Sequence, residues 1–254
     1  MRNIYKKGLG LLAIVLAFTS CSPDEPIHSS ITNYPVITVA GDDVIFVHQG
    51  EPFTDPGATA TIDGNEVPVT TTYIGRYRGN VFTGTLDTNI ADVYTVQYSA
   101  MNEDGFSGVS TRQVIVANTG DLVNSIEGVY TSTVFRNGSQ GNPSSAYTDI
   151  EYILIWKNAN GTYQVSDSFG GWYLFARAIA NSETPGGVIV ANDITTNDFS
   201  FPGTQTNLYF GGSSEIESLE VDPATKTLVL TTSWDTTPPV THYTFVSTLE
   251  QVQF

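Results

Sequence analysis

Apolar and polar residues alternate with a period of two along most of this chain, the spacing of a strand with one buried face. In residues 93–98, Tyr94, Val96 and Tyr98 fall on one side, Thr95 and Gln97 on the other. In residues 150–156, Ile150, Tyr152, Leu154 and Trp156 share a side. Shorter β-rich runs lie at 36–39, 44–47, 58–62, 129–135, 162–166, 227–230 and 241–246. Turn signals separate them. Asp63-Gly64-Asn65 and Asn160-Gly161 tolerate the positive φ of a tight hairpin, and Asp222-Pro223-Ala224-Thr225 turns between two runs. Val67-Pro68-Val69 belongs at a sheet edge, because proline cannot donate to a ladder. Several strands in about 85 residues, 34–118, predict a β-sandwich. Asn118-Thr119-Gly120-Asp121 reads as a boundary, with Asp121 capping a helical turn through Leu122, Val123 and Ile126. About eight further strands in 119–254, mostly joined as hairpins, predict an antiparallel β-barrel or β-sandwich. Ser214 and Glu217 have the spacing of a capping box, although β-pairing there is equally consistent. The fold class is therefore all-β.

The first 20 residues break the alternation. Arg2, Lys6 and Lys7 precede an apolar core at 9–18, then small Thr19 and Ser20 precede Cys21. This is the layout of a secretory signal peptide; a spanning helix needs about 20 apolar residues. Its removal leaves seven Lys and Arg against 26 Asp and Glu, a formal charge of −19. So acidic a body is repelled by phosphate backbones, which excludes nucleic acid as a partner. Cys21 is the only cysteine, so no intramolecular disulfide forms, and stability rests on packed cores.

Four parts of the chain carry resemblances. Leu16-Ala17-Phe18-Thr19-Ser20-Cys21 resembles a bacterial lipoprotein lipobox in the relaxed form of Bacteroidetes, with Phe18 and Ser20 departing from its commonest residues. The resemblance implies lipidation of Cys21, residues 21–33 as a tether, and a membrane anchor through the lipid. Ser22-Pro23-Asp24-Glu25-Pro26 resembles an acidic signal for export to the outer face of the outer membrane. Pro35-Val36-Ile37, Gly50-Glu51-Pro52-Phe53-Thr54-Asp55-Pro56-Gly57-Ala58, residues 94–100, Asp104-Gly105 and residues 112–116 together resemble the bacterial immunoglobulin-like surface domain akin to hyalin-repeat modules. Asp92-Val93 departs from it where a Gly is usual. Glu127-Gly128-Val129-Tyr130, residues 163–167, Gly170-Gly171-Trp172-Tyr173 and residues 221–228 resemble the C-terminal β-domain of Bacteroides-type surface lipoproteins. That resemblance implies partnership with a TonB-dependent transporter and a SusD-type lipoprotein, with the chain as an accessory that captures a glycan or peptide ligand. The alternative is a structural or adhesive scaffold.

Candidate chemistry is sparse. In Asp167-Ser168-Phe169-Gly170-Gly171-Trp172-Tyr173, strand neighbours point to opposite faces, so Trp172 and Tyr173 are not both core and one faces solvent or a groove. Trp234, beside Asp235-Thr236-Thr237-Pro238-Pro239, sits at a loop mouth. Ring faces that stack on sugar C–H groups and a carboxylate that accepts hydroxyl protons make Trp172, Tyr173, Asp167 and Trp234 the candidate ligand residues. The alternative is a bulge whose aromatics cover a barrel end. Trp156 reads as core. His28, His48 and His242 sit in no nucleophile motif, and Gly-x-Ser-x-Gly and phosphate loops are absent. Asp42, Asp43, Asp55 and Asp63 lack the spacing of a calcium loop and read as turn acids. Glu151, Asp167, Asp193 and Asp198 would suit a glycosidase only if two came together. No catalytic residue, metal or cofactor is expected, and the chain is read as a non-enzyme.

Overall fold

The computed structural model describes residues 32–137 and 146–254; the signal peptide, Cys21 and the polar loop 138–145 lie outside them. The first strands are β1 (Val36–Val39), β2 (Val44–His48), β3 (Ala58–Ile62), β4 (Asn65–Val67), β5 (Thr70–Gly75), β6 (Val81–Thr83), β7 (Asp92–Met101) and β8 (Ser107–Ala117). β1, β3 and β4 form one sheet; the other has the order β2-β8-β7-β5-β6, with β2 parallel to β8. Tyr94, Val96, Tyr98, Val114 and Val116 are fully buried between the two, as the alternation requires. Asp63 and Gly64, at φ 49° and 78°, close the two-residue hairpin between Ile62 and Asn65. Asp55 of the Asp-Pro-Gly-Ala element accepts from Tyr98 Oη at 2.7 Å and lies 3.8 Å from Arg112 Nε, so this acid anchors the sandwich internally.

Then follow β9 (Gly128–Arg136), β10 (Ala146–Lys157), β11 (Tyr163–Val165), β12 (Gly187–Asp193), β13 (Asp198–Ser200), β14 (Gln205–Asn207), β15 (Gly211–Asp222), β16 (Thr227–Asp235) and β17 (His242–Gln251). They pair antiparallel in the order β13-β12-β11-β10-β9-β17-β16-β15-β14. Both edges of this sheet, β13 and β14, are separated in sequence only by residues 201–204. A flat nine-stranded sheet is about 38 Å across, whereas five chain steps reach at most about 19 Å. The sheet therefore curls into a half-barrel around Tyr130, Ile153, Ile155, Val165, Ile189, Leu228, Leu230 and Leu249.

Several local expectations are corrected. Asn160-Gly161 does not form a two-residue turn: only Gly161 has positive φ, and residues 158–162 form a wider loop in which Asn158 N donates to Thr162 O. Asp121 caps no helix; its Oδ1 accepts from the Val123, Asn124 and Ser125 amides in a non-helical bend. Ser214 and Glu217 lie within β15, so the capping box is not formed. In β10 the register shifts between Tyr147 and Ile150 and again before Ile153. Ile150 therefore joins a different cluster from Leu154 and Trp156.

Beyond Ile153, β10 is covered on both faces. Ile153 and Ile155 point into the half-barrel, while Leu154 and Trp156 pack with Val129 against Val93, Ile115, Ala117 and Phe46 of the first domain. Asp92 organises this junction. Its buried carboxylate accepts from the amides of Tyr77, Arg78 and Val93 at 2.8–2.9 Å, and burial raises its pKa. The loop it holds presents Tyr77, stacked on Trp156, and Arg76, paired with Glu183 at 3.6 Å. The departure at Asp92 thus serves the contact between the domains.

Candidate functional site

Gly170 and Gly171 place Trp172 and Tyr173 differently from a strand. Both glycines have positive φ, 60° and 83°, and the chain then enters one π-helical turn, Trp172–Ala176. A Cβ at Gly170 would overlap Ser247 Oγ and Val134 Cγ2, so the backbone approaches the sheet too closely for any other residue. On this turn Trp172 and Tyr173 both point inward, each 4% exposed. The expectation that one of them faces solvent is therefore corrected. Trp234, on β16, is 3% exposed and donates its Nε1 to Gly211 O at 3.0 Å; it is interior, not at a loop mouth. Phe169 and Phe245 stack at 4.2 Å, and the two tryptophans and Tyr173 surround them.

Asp167 is fully buried beneath this cluster. Its Oδ1 accepts from Phe169 N at 2.9 Å and Thr184 N at 3.1 Å, while Oδ2 has no partner among the described residues. Burial pushes its carboxyl up to about 6. The structure thus gathers the four candidates in one region of the half-barrel, as interior groups without an open ring face. The other carboxylates do not join it: Asp193 and Asp198 share the β12–β13 hairpin, and Glu151 is exposed on β10. His48 stacks on Phe254, and His242 Nδ1 lies 2.8 Å from Asp235. Among the described residues no group of three or more His, Cys, Asp and Glu is placed to hold a metal.

The groups at the surface of this cluster are ones that the sequence pattern did not single out. The β14–β15 hairpin exposes Leu208 and Tyr209, at 60% and 63%, with Tyr209 edge-on to Phe210, which covers Tyr173 and Trp234. Val240, in the β16–β17 loop, is equally exposed. Tyr147 lies edge-on to Trp172 at 4.5 Å. Arg136 is set between the rings of Trp172 and Tyr243, at 5.1 and 4.9 Å, and its Nη1 donates to Tyr173 Oη at 3.4 Å. Arg177 lies over Tyr173 at 5.7 Å. Aromatic clustering in 168–175 pointed to the region; side chains contributed by the loops carried no periodic signal.

Comparison with known proteins adds the following. Residues 119–251 match a family model describing a C-terminal domain, and residues 37–116 match the bacterial surface protein, Ig-like domain. The fold is similar to the crystal structure of a lipoprotein from Bacteroides thetaiotaomicron, with 26% identity and a TM-score of 0.58, over 85% of this chain and all of that one. No curated protein matches. No helix of the described residues is long and apolar enough to cross a membrane.

Proposed function

The chain belongs to the family defined by that C-terminal domain, here joined to a surface Ig-like domain, and on this premise we propose that it is a lipid-anchored binding accessory at the outer face of the outer membrane. Cys21 carries the lipid, and several acyl chains make a durable anchor. The first domain is the spacer. Pro35 lies against Gly108 at the start of β8, and the chain leaves for the second domain after Ala117. Nine residues of strand hold the two points about 30 Å apart. The second domain captures a glycan and hands it to a TonB-dependent transporter and its SusD-type partner. A peptide ligand is the lesser alternative.

The observation that carries this reading is the rim of Tyr209, Leu208, Val240 and Tyr147 over the buried aromatic cluster. Exposed rings braced from beneath stack on sugar faces at little entropic cost, because the rim is already held. The buried four, Trp172, Tyr173, Asp167 and Trp234, act here as the support and not as the contact surface. The interdomain core favours a second reading, a rigid scaffold without small-ligand binding. Affinity electrophoresis of the mature protein through a panel of neutral and acidic polysaccharides separates the two. The accessory reading expects retardation by at least one, weakened about tenfold in Tyr209→Ala. Unretarded migration through every gel would leave the scaffold.

A further inference from the structure

The two ends of the half-barrel build their turns from different chemistry. At one end, Asp121, Asp193 and Asp222 accept from amides of their own turns: Val123, Thr195 and Ala224, at 2.9–3.0 Å. At the other, neutral oxygens accept instead, two from their own turns and one, Asn137, from β17. Asn207 Oδ1 accepts from Phe210 N at 2.8 Å, Asn137 Oδ1 from Thr244 N at 3.0 Å, and Thr236 Oγ1 from Thr241 N at 2.9 Å. Two of these groups are donors as well, Asn207 Nδ2 to Ser182 O at 2.6 Å and to Thr184 Oγ1 at 3.0 Å, and Thr236 Oγ1 to Pro239 O at 3.2 Å, which an aspartate could not be. The fold therefore accounts for neutrality at those two positions and not for that of the surface around them.

The neutrality extends through the sequence of that end. Residues 133–137, 146–148, 168–182, 205–214 and 236–248 contain no Asp or Glu, in a chain of 254 residues with 26 acids. At that density they would hold about five. They contain instead Arg136, Arg177 and His242. Neither arginine has a carboxylate partner within 4 Å among the described residues; each lies over an aromatic ring. Asp149, Glu151 and Asp235 stand at the margins; Asp149 and Glu151 line one concavity with residues 174–176 beside Arg177, and Asp235 is engaged by His242. More distant acids are screened, since the Debye length at physiological salt is about 8 Å.

We infer that this end binds an anionic polysaccharide, Tyr209 and Tyr147 meeting the sugar faces while Arg136 and Arg177, flanking Tyr173, meet its carboxylate or sulfate groups. The inference rests on the glycan-capture reading and narrows its ligand class. A planar guanidinium offers paired donors to either anion, and stacking on a ring holds the fork in place before the ligand arrives. Apolar rims also suit membranes, but an anionic lipid surface meets a body of charge −19 over its whole area, whereas a single chain meets one end.

The test is affinity electrophoresis of the mature protein through gels containing polygalacturonate, dextran sulfate or neutral dextran, with anionic phospholipid vesicles assayed by flotation. The expected result is retardation by at least one polyanion and not by dextran; which of them acts tells carboxylate from sulfate. The R136Q/R177Q protein should lose about tenfold in affinity, the scale of one or two charge-assisted contacts. K157Q/K226Q, which removes equal charge at the opposite end, should lose nothing. Arg177→Gln alone, at an exposed position, should show a partial loss with an unchanged melting curve. Retardation by dextran with the arginine variants unaltered overturns the anionic class and leaves glycan capture standing. Flotation with vesicles without retardation by either polyanion overturns the glycan assignment. Free migration in all gels removes the capture reading and this inference with it.

Discussion

One end of the half-barrel is acidic and made of self-contained turns; the other is poor in acids, with Asp149 and Asp235 at its margins, and is capped by rings. At the first end, carboxylates spend their oxygens on local hydroxyls and amides, and hydrogen bonds, chiefly from the Asn124 amide to Asp121, the Thr195 hydroxyl to Asp193 and the Thr225 hydroxyl to Asp222, hold their pKa values below the usual range. At the second, Asn and Thr satisfy the backbone, and the side chains above it are left to meet something else. The contrast separates residues that fold the protein from residues that folding does not explain. It also reassigns the aromatics. Trp172, Tyr173 and Trp234 belong to the folding set, Tyr209 and Arg177 to the other.

The largest expected effect falls on the buried layer of the ringed end. Phe245 is fully buried and stacks on Phe169, so Phe245→Ala should lose about 3–5 kcal/mol. A thermal midpoint lowered by roughly 10 °C or more would show it. An unchanged midpoint would mean that the cluster is not a core.

Titration sharpens the comparison next. Asp167, bordering the acid-free stretch, has a carboxyl pushed up to about 6 by burial. An acid whose folded pKa exceeds its unfolded value contributes stability below the unfolded pKa, and that contribution is lost as pH rises through the folded one. Asp167 should therefore cost about 2 kcal/mol at pH 7 relative to pH 4. Asp121, Asp193 and Asp222 have the opposite sign: their contribution is lost as pH falls. Asp167→Asn should flatten the loss between pH 4 and pH 7 in denaturant titrations. An identical pH slope in the variant would remove Asp167 from the account.

How much of this was legible beforehand depended on periodicity. The strand holding Tyr94, Val96 and Tyr98 followed from strict alternation, and Asp63-Gly64 followed from turn chemistry. The alternation in β10 misled, because a strand covered on both faces needs no polar side and two register shifts reset its facing. Trp172 and Tyr173 misled for a related reason: two positive-φ glycines followed by a π-helical turn void the strand rule that neighbours oppose. Asp92 was visible only as a departure from a pattern; its purpose lies in a loop that closes against another domain. The rim could not be read at all, since Arg136 and Tyr147 at the facing ends of β9 and β10, Arg177 between β11 and β12, and Tyr209 between β14 and β15 come from three distant parts of the chain.

The most direct test of the working end is hydrogen exchange of the mature protein with and without polygalacturonate oligomers. Slowed exchange confined to residues 146–148, 172–178, 207–212 and 236–243 is the expected result. Protection instead at residues 121–127, 193–198 and 222–226, or in the groove lined by His48, Glu51 and Asn118, would contradict the account.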